Sequence, residues 1–259
     1  MEKAIHSDFL IHWTGKDIDC STPDANHQFL ERLRSILKYG LWMTRDAEPE
    51  ILRVNRSQFR KPVTARTCFT ELKLSESSVH AKEYGSLGIG VKRYFLFDRL
   101  GSPLFYMQNG THSLFFPPFQ SANGFIHNFF KQMCEVTPKD YKYYNESEWR
   151  IIYSEKIKSE LQKNNLNVVN KLFEYPLDPG YPERLKYFQG LRKKPDYLIP
   201  LDPWLAIIIY PNLQVKDMAI NDSGIRKLLK DISCRATITG CPETSLVPIE
   251  LNVQACKNF

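Results

Sequence analysis

Paired cysteines, long apolar runs and a strong excess of one charge are what this 259-residue sequence most plainly lacks. Its six cysteines (Cys20, Cys68, Cys134, Cys234, Cys241 and Cys256) are scattered, with no C-x-x-C pair. That spacing argues against the common zinc modules, and a chain this long buries a core without disulfides, so six reduced thiols and no metal are expected. The longest apolar run, WLAIIIY at 204–210, is too short to cross a bilayer. The opening residues MEKAIH carry an acid and no apolar stretch, unlike a secretory signal. A cytoplasmic protein without a membrane segment is the expectation. Lys and Arg exceed Asp and Glu by 35 to 29, a net charge of +6, which is compatible with a polyanionic partner without requiring one.

What is present reads as one α/β (α+β) domain over 1–259, since no repeat and no low-complexity linker divides it. Residues 9–14 form a short apolar segment, and 26–39 has apolar residues at helical spacing, with Gly40 placed as a C-terminal cap. The stretch 51–70 holds Arg53, Arg56, Arg60, Lys61 and Arg66 with no acid, and ends in a strand at 67–70. Strands are expected at 89–97 and 104–107, with a turn between them. A helix is expected at 123–136, with Phe125, Ile126, Phe129, Phe130 and Met133 on one face. A strand follows at 148–153, then a polar helix and loop over 156–172. Residues 175–200 are rich in proline, aromatics and bases, 204–210 is a strand buried on both faces, and 223–232 is a last helix.

Three segments put polar groups where strands should be apolar. In the first, His12 and Thr14, two apart on a strand, project from one face and could meet one ligand, although a His beside a Trp is commonly just a half-buried residue. In the second, around Phe69 and Thr70, Cys68 has no neighbour that would lower its pKa and reads as an inert thiol. In the third, Glu146 and Glu148 share a strand face. Two such carboxylates suit a sugar-like cationic transition state, one stabilising the cation and the other handling a proton. A carboxylate about 4 Å from an oxocarbenium centre contributes roughly 4 kcal/mol at an effective dielectric near 20, or about three powers of ten in rate. The alternative is a solvated acidic edge with Arg150 on the opposite face.

In order along the chain, His12-Trp13-Thr14-Gly15, Ile36-Leu37-x-x-Gly40-Leu41, Cys68-Phe69-Thr70-Glu71-Leu72, Tyr84-Gly85-x-x-Gly88-Ile89-Gly90 and Glu148-Trp149-Arg150 resemble the AbiGi-type abortive-infection proteins of phage defence. They are more distantly similar to DarT-like ADP-ribosyltransferase toxins. The resemblance covers roughly residues 5–155, with an echo in Tyr197-Leu198-Ile199-Pro200 and strands and a helix over 197–235 completing the sheet.

The resemblance implies a split mixed sheet whose cleft binds NAD+ as co-substrate, and an NAD+-dependent ADP-ribosyltransferase acting as a defence toxin. His12 would touch a ribose hydroxyl, Thr14 would hold the adenosine end, and Phe69 and Thr70 would line the nicotinamide pocket. Glu148 would stabilise the oxocarbenium ion, and Glu146 would orient the accepting nucleophile. Phe69 stands where the middle Tyr of a His-Tyr-Glu pattern is expected. The acid-free stretch with Arg60 and Lys61, and Arg192-Lys193-Lys194 among aromatics, tilt the acceptor towards nucleic acid, RNA or single-stranded DNA. Such a toxin needs a separate antitoxin protein, with a chaperone as a further partner. Two other readings remain open: a catalytically silent antitoxin or interaction protein with the same fold, and a ribonuclease using His12 and Glu148 as base and acid without NAD+.

Overall fold

The computed structural model describes residues 9–46, 48, 51–54, 57–71, 73–108, 124–133, 147–163, 173–201, 204–238 and 248–258. Short runs of apolar and β-favouring residues set the central strands: β1 (Phe9–Thr14), β5 (Ala65–Thr70), β6 (Leu87–Lys92), β10 (Glu148–Tyr153) and β12 (Leu205–Tyr210). With β7 (Ser102–Pro103) and β13 (Ile249–Asn252) they form a seven-stranded mixed sheet in the order β13-β12-β6-β1-β5-β10-β7. The β12–β13 pair is parallel and the others are antiparallel. The architecture is therefore α+β.

Two-stranded pairs accompany the sheet: β2 (Leu41–Met43) with β11 (Tyr197–Ile199), β3 (Ile51–Val54) with β4 (Ser57–Arg60), and β8 (Phe105–Gln108) with β9 (Phe130–Met133). Helices are α1 (Ala25–Tyr39), α2 (Ser77–Tyr84), α3 (Tyr94–Phe97), α4 (Glu155–Lys163), α5 (Pro182–Gln189), α6 (Leu213–Asn221) and α7 (Ser223–Ile238).

The two faces of the sheet carry separate cores. On one face, Leu10, Phe69, Ile89, Ile151 and Ile208 pack against Phe29, Leu33 and Ile36 of α1, with Val215 of α6 and Leu229 of α7 in the same cluster. On the other, Ile11, Trp13, Ile207 and Ile209 pack with Ala81 of α2 and with Cys256. Gly40 ends α1 at φ 101°, its N–H bonded to Ile36 O, as the sequence spacing predicts. Strand β12 is buried on both faces, also as expected.

Two expected elements differ. The strand at 89–97 stops at Lys92, and 94–97 coils into α3, because Phe95 and Leu96 are both buried between exposed Tyr94 and Phe97. Adjacent residues cannot both face inward on a half-buried strand. The helix at 123–136 is instead a 3-10 turn, Gly124–Phe129, followed by β9, with residues beyond 133 outside the described set. Ile126 of the supposed apolar face is exposed, while His127 and Asn128 are buried. Pairing with β8, including the Phe105–Phe130 ring stack at 5.4 Å, overrides the helical pattern. Among the described residues, no helix is long and apolar enough to cross a membrane.

Candidate functional site

Strands β1, β5 and β10 are neighbours, so the segments bearing His12, Phe69-Thr70 and Glu148 lie side by side. Their register decides which side chains meet. Ile11 is opposite Thr70, and Thr70 is opposite Glu148, so these three project from one face. His12, Phe69 and Trp149, each one residue offset, project from the other. The sheet itself therefore separates His12, Thr14 and Phe69 from Thr70 and Glu148. His12 and Glu148 do not project from one sheet face.

On the Glu148 face, the carboxylate is buried at the start of β10. Its Oε1 lies 2.7 Å from Arg150 Nε and its Oε2 lies 3.1 Å from Lys131 Nζ. Burial by itself would raise the carboxyl pKa, but the charges of Arg150 and Lys131 overcome it and hold the value down at about 2. Arg150 thus shares the face of Glu148 instead of opposing it, which corrects the expected acidic edge. Its Nη1 also donates to Asn128 O at 3.0 Å. The Cys68 thiol beside them is pushed up to about 12 by burial and then by the Glu148 charge, so it is inert as expected.

The backbone enters β10 through Ser147 at φ 40°, an uncommon conformation for a non-glycine residue, and Ser147 O accepts from Glu71 N. Thr70 Oγ1 accepts from Trp13 Nε1 at 3.1 Å and donates to Ile11 O at 3.3 Å. It is committed to the sheet and not to a ligand. Glu146 lies outside the described residues.

On the opposite face, His12 is partly buried, and its Nδ1–H donates to Cys68 O at 2.9 Å. Burial, aided by Arg32, holds the imidazole below its ordinary pKa against that hydrogen bond, so the ring is neutral at pH 7. Thr14 Oγ1 accepts from Arg32 Nη1 at 3.1 Å, and the same guanidinium grips Asp17. Phe69 is a core residue, 1% exposed, in tilted contact with His12 and edge-to-face with Phe95.

The basic residues also divide. Lys61 is buried and donates to Phe130 O at 2.6 Å, so it braces β9 and is not available to a polynucleotide. Arg60 is exposed. Arg192, Lys193 and Lys194 are exposed beyond α5. The bond to Arg32 and, less strongly, the Lys193 charge hold Asp17 below the usual carboxylate range, which sets the triplet beside the Thr14–Arg32 cluster and away from Glu148.

Sequence reading missed Lys131, Asn128 and the pairing role of Arg150. The last was legible, since residues two apart on a strand share a face. The others arrive through β9, which the helical expectation hid. Among the described residues, no group of three His, Cys, Asp or Glu converges as a metal site. No family model, no curated protein and no solved structure matches this chain.

Proposed function

We propose that this chain is a catalytically silent interaction protein, of the antitoxin kind the resemblance allows, carried on the mixed seven-stranded sheet. One observation carries the reading: both oxygens of Glu148 are held by Arg150 and Lys131, on the face of the sheet away from His12. A carboxylate so neutralised has little field left for a developing oxocarbenium ion. The same separation counts against the ribonuclease reading, which needs a base at His12 and an acid at Glu148 on one phosphodiester.

The test is incubation of the wild-type chain with labelled NAD+ and RNA, single-stranded DNA or cell protein, beside Glu148→Gln. No incorporation by either, and no growth arrest when the chain is expressed alone, is expected. Incorporation by wild type that is lost in a folded Glu148→Gln variant would overturn the proposal. It would support a second reading, ADP-ribosyl transfer centred on Glu148, which the adjacency of β1, β5 and β10 and the ionised state of Glu148 favour. In that reaction the glycosidic bond to nicotinamide breaks, the acceptor's oxygen or nitrogen bonds to the ribose C1′, and the acceptor's proton is released to solvent.

A further inference from the structure

A cleft of about 450 Å³, within the size range of small-molecule sites, is lined by none of Glu148, Arg150, Lys131 and Asn128. Pro62, Val63 and Phe125 supply apolar lining, and Val63 is 48% exposed. Arg45, Lys156, Ser154 and Glu155 supply the polar lining. Lys156 Nζ lies 5.5 Å from the Phe125 ring centroid, so a cation and an aromatic face sit together. Arg45 is fixed by Asp196, its Nε 3.0 Å from Asp196 Oδ1. Ser154 caps α4, its Oγ accepting from Ile157 N at 3.3 Å.

A smaller cavity adjoins it. Pro62 and Val63 also line a water-sized cavity of about 10 Å³, and Thr64, another lining residue, is 5% exposed with its hydroxyl unpartnered. Buried hydroxyls are rarely left so, and a bridging water in that small cavity, which Thr64 lines and the cleft does not include, would satisfy it.

We infer that this cleft binds a nucleoside monophosphate, free or as a unit of a strand. Its base would lie against Phe125, Pro62 and Val63, its phosphate would meet Lys156 and Arg45, and a sugar hydroxyl would reach Ser154 or Glu155. Arg45 is already paired with Asp196, so Lys156, exposed and over the Phe125 ring, carries the preference for an anion. The inference stands whichever reading of Glu148 holds. It also has a structural link to Glu148: one ten-residue stretch, 124–133, carries Phe125 in the cleft, Asn128 on Arg150 and Lys131 on Glu148.

Calorimetric titration with adenosine 5′-monophosphate tests it, beside adenosine, inorganic phosphate and a tetra-adenylate strand. The monophosphate or the strand should bind, with the tighter of the two identifying the source. Adenosine and phosphate alone should each bind about tenfold or more weakly. Lys156→Glu and Phe125→Ala should each weaken binding about tenfold, while Glu148→Gln leaves it unchanged. Because Lys156 is exposed, its substitution leaves the fold intact, as a melting curve would check. No binding of either nucleotide probe up to about 10 mM, or binding indifferent to both cleft substitutions, would overturn the inference.

Discussion

At the scale of single residues, burial and charge compete at Glu148, and charge wins. The carboxyl titrates near 2 in the folded chain against an ordinary 4.5. A carboxylate with a depressed folded pKa stabilises the fold above its unfolded pKa and loses that contribution as pH falls through the folded value. The depression corresponds to about 3 kcal/mol, fully present above about pH 5 and lost towards pH 2. Urea denaturation of wild type should therefore show a midpoint falling steeply over that window. Glu148→Gln should start lower at pH 7, by about 3 kcal/mol or more, because it strands two cations, and then fall less as acid is added. Parallel pH profiles for the two proteins would show that Glu148 is not held ionised by the fold.

At the scale of elements, the glycines of β6 let the sheet close on its second face. A Cβ at Gly90 would sit 1.8 Å from Ile207 Cγ2 on the neighbouring strand. Gly90→Ala should lower stability by about 1–3 kcal/mol through overpacking, while Gly190→Ala, where a Cβ meets nothing closer than 3.6 Å, should stay within about 0.5 kcal/mol. Chemical denaturation of both variants measures the difference.

Helix α1 was legible from its apolar period, and strands β1, β5, β10 and β12 from short runs of apolar and β-favouring residues, β12 being apolar throughout. Strand β9 was not, since Phe130 and Met133 also fit a helical spacing and only the remote β8 selects the extended form. Helix α6 carried a readable start, Asn212 accepting from Val215 N at 2.8 Å, yet its weak amphipathic pattern drew no notice. The candidate site was half legible. Local period places Glu148 and Arg150 together, but which face His12 joins follows from a cross-strand register that no short motif encodes.

At the scale of the whole molecule, positive charge is divided between two regions. Arg192, Lys193 and Lys194 stand exposed beside the Thr14–Arg32 cluster, whereas Arg66 of the acid-free stretch is paired with Asp46 at 2.5 Å, and Lys61 is buried. If a single-stranded polynucleotide docks, the triplet should dominate its salt dependence. Reversing all three charges should reduce the slope of log K against log salt by about two, as three lost phosphate contacts would. An unchanged slope in a filter-binding series would remove the triplet from the interface.

The outer strand β7 spans two residues, and one of them, Pro103, has no amide hydrogen to offer. A rim so short and so poor in donors is a weak template for strand addition by a second molecule. On the opposite rim, Glu250 of β13 is gripped by Arg226 of α7 at 2.6 and 2.8 Å, tethering that strand to a helix. Concentrated solutions of this chain should accordingly resist aggregating through either of these rims.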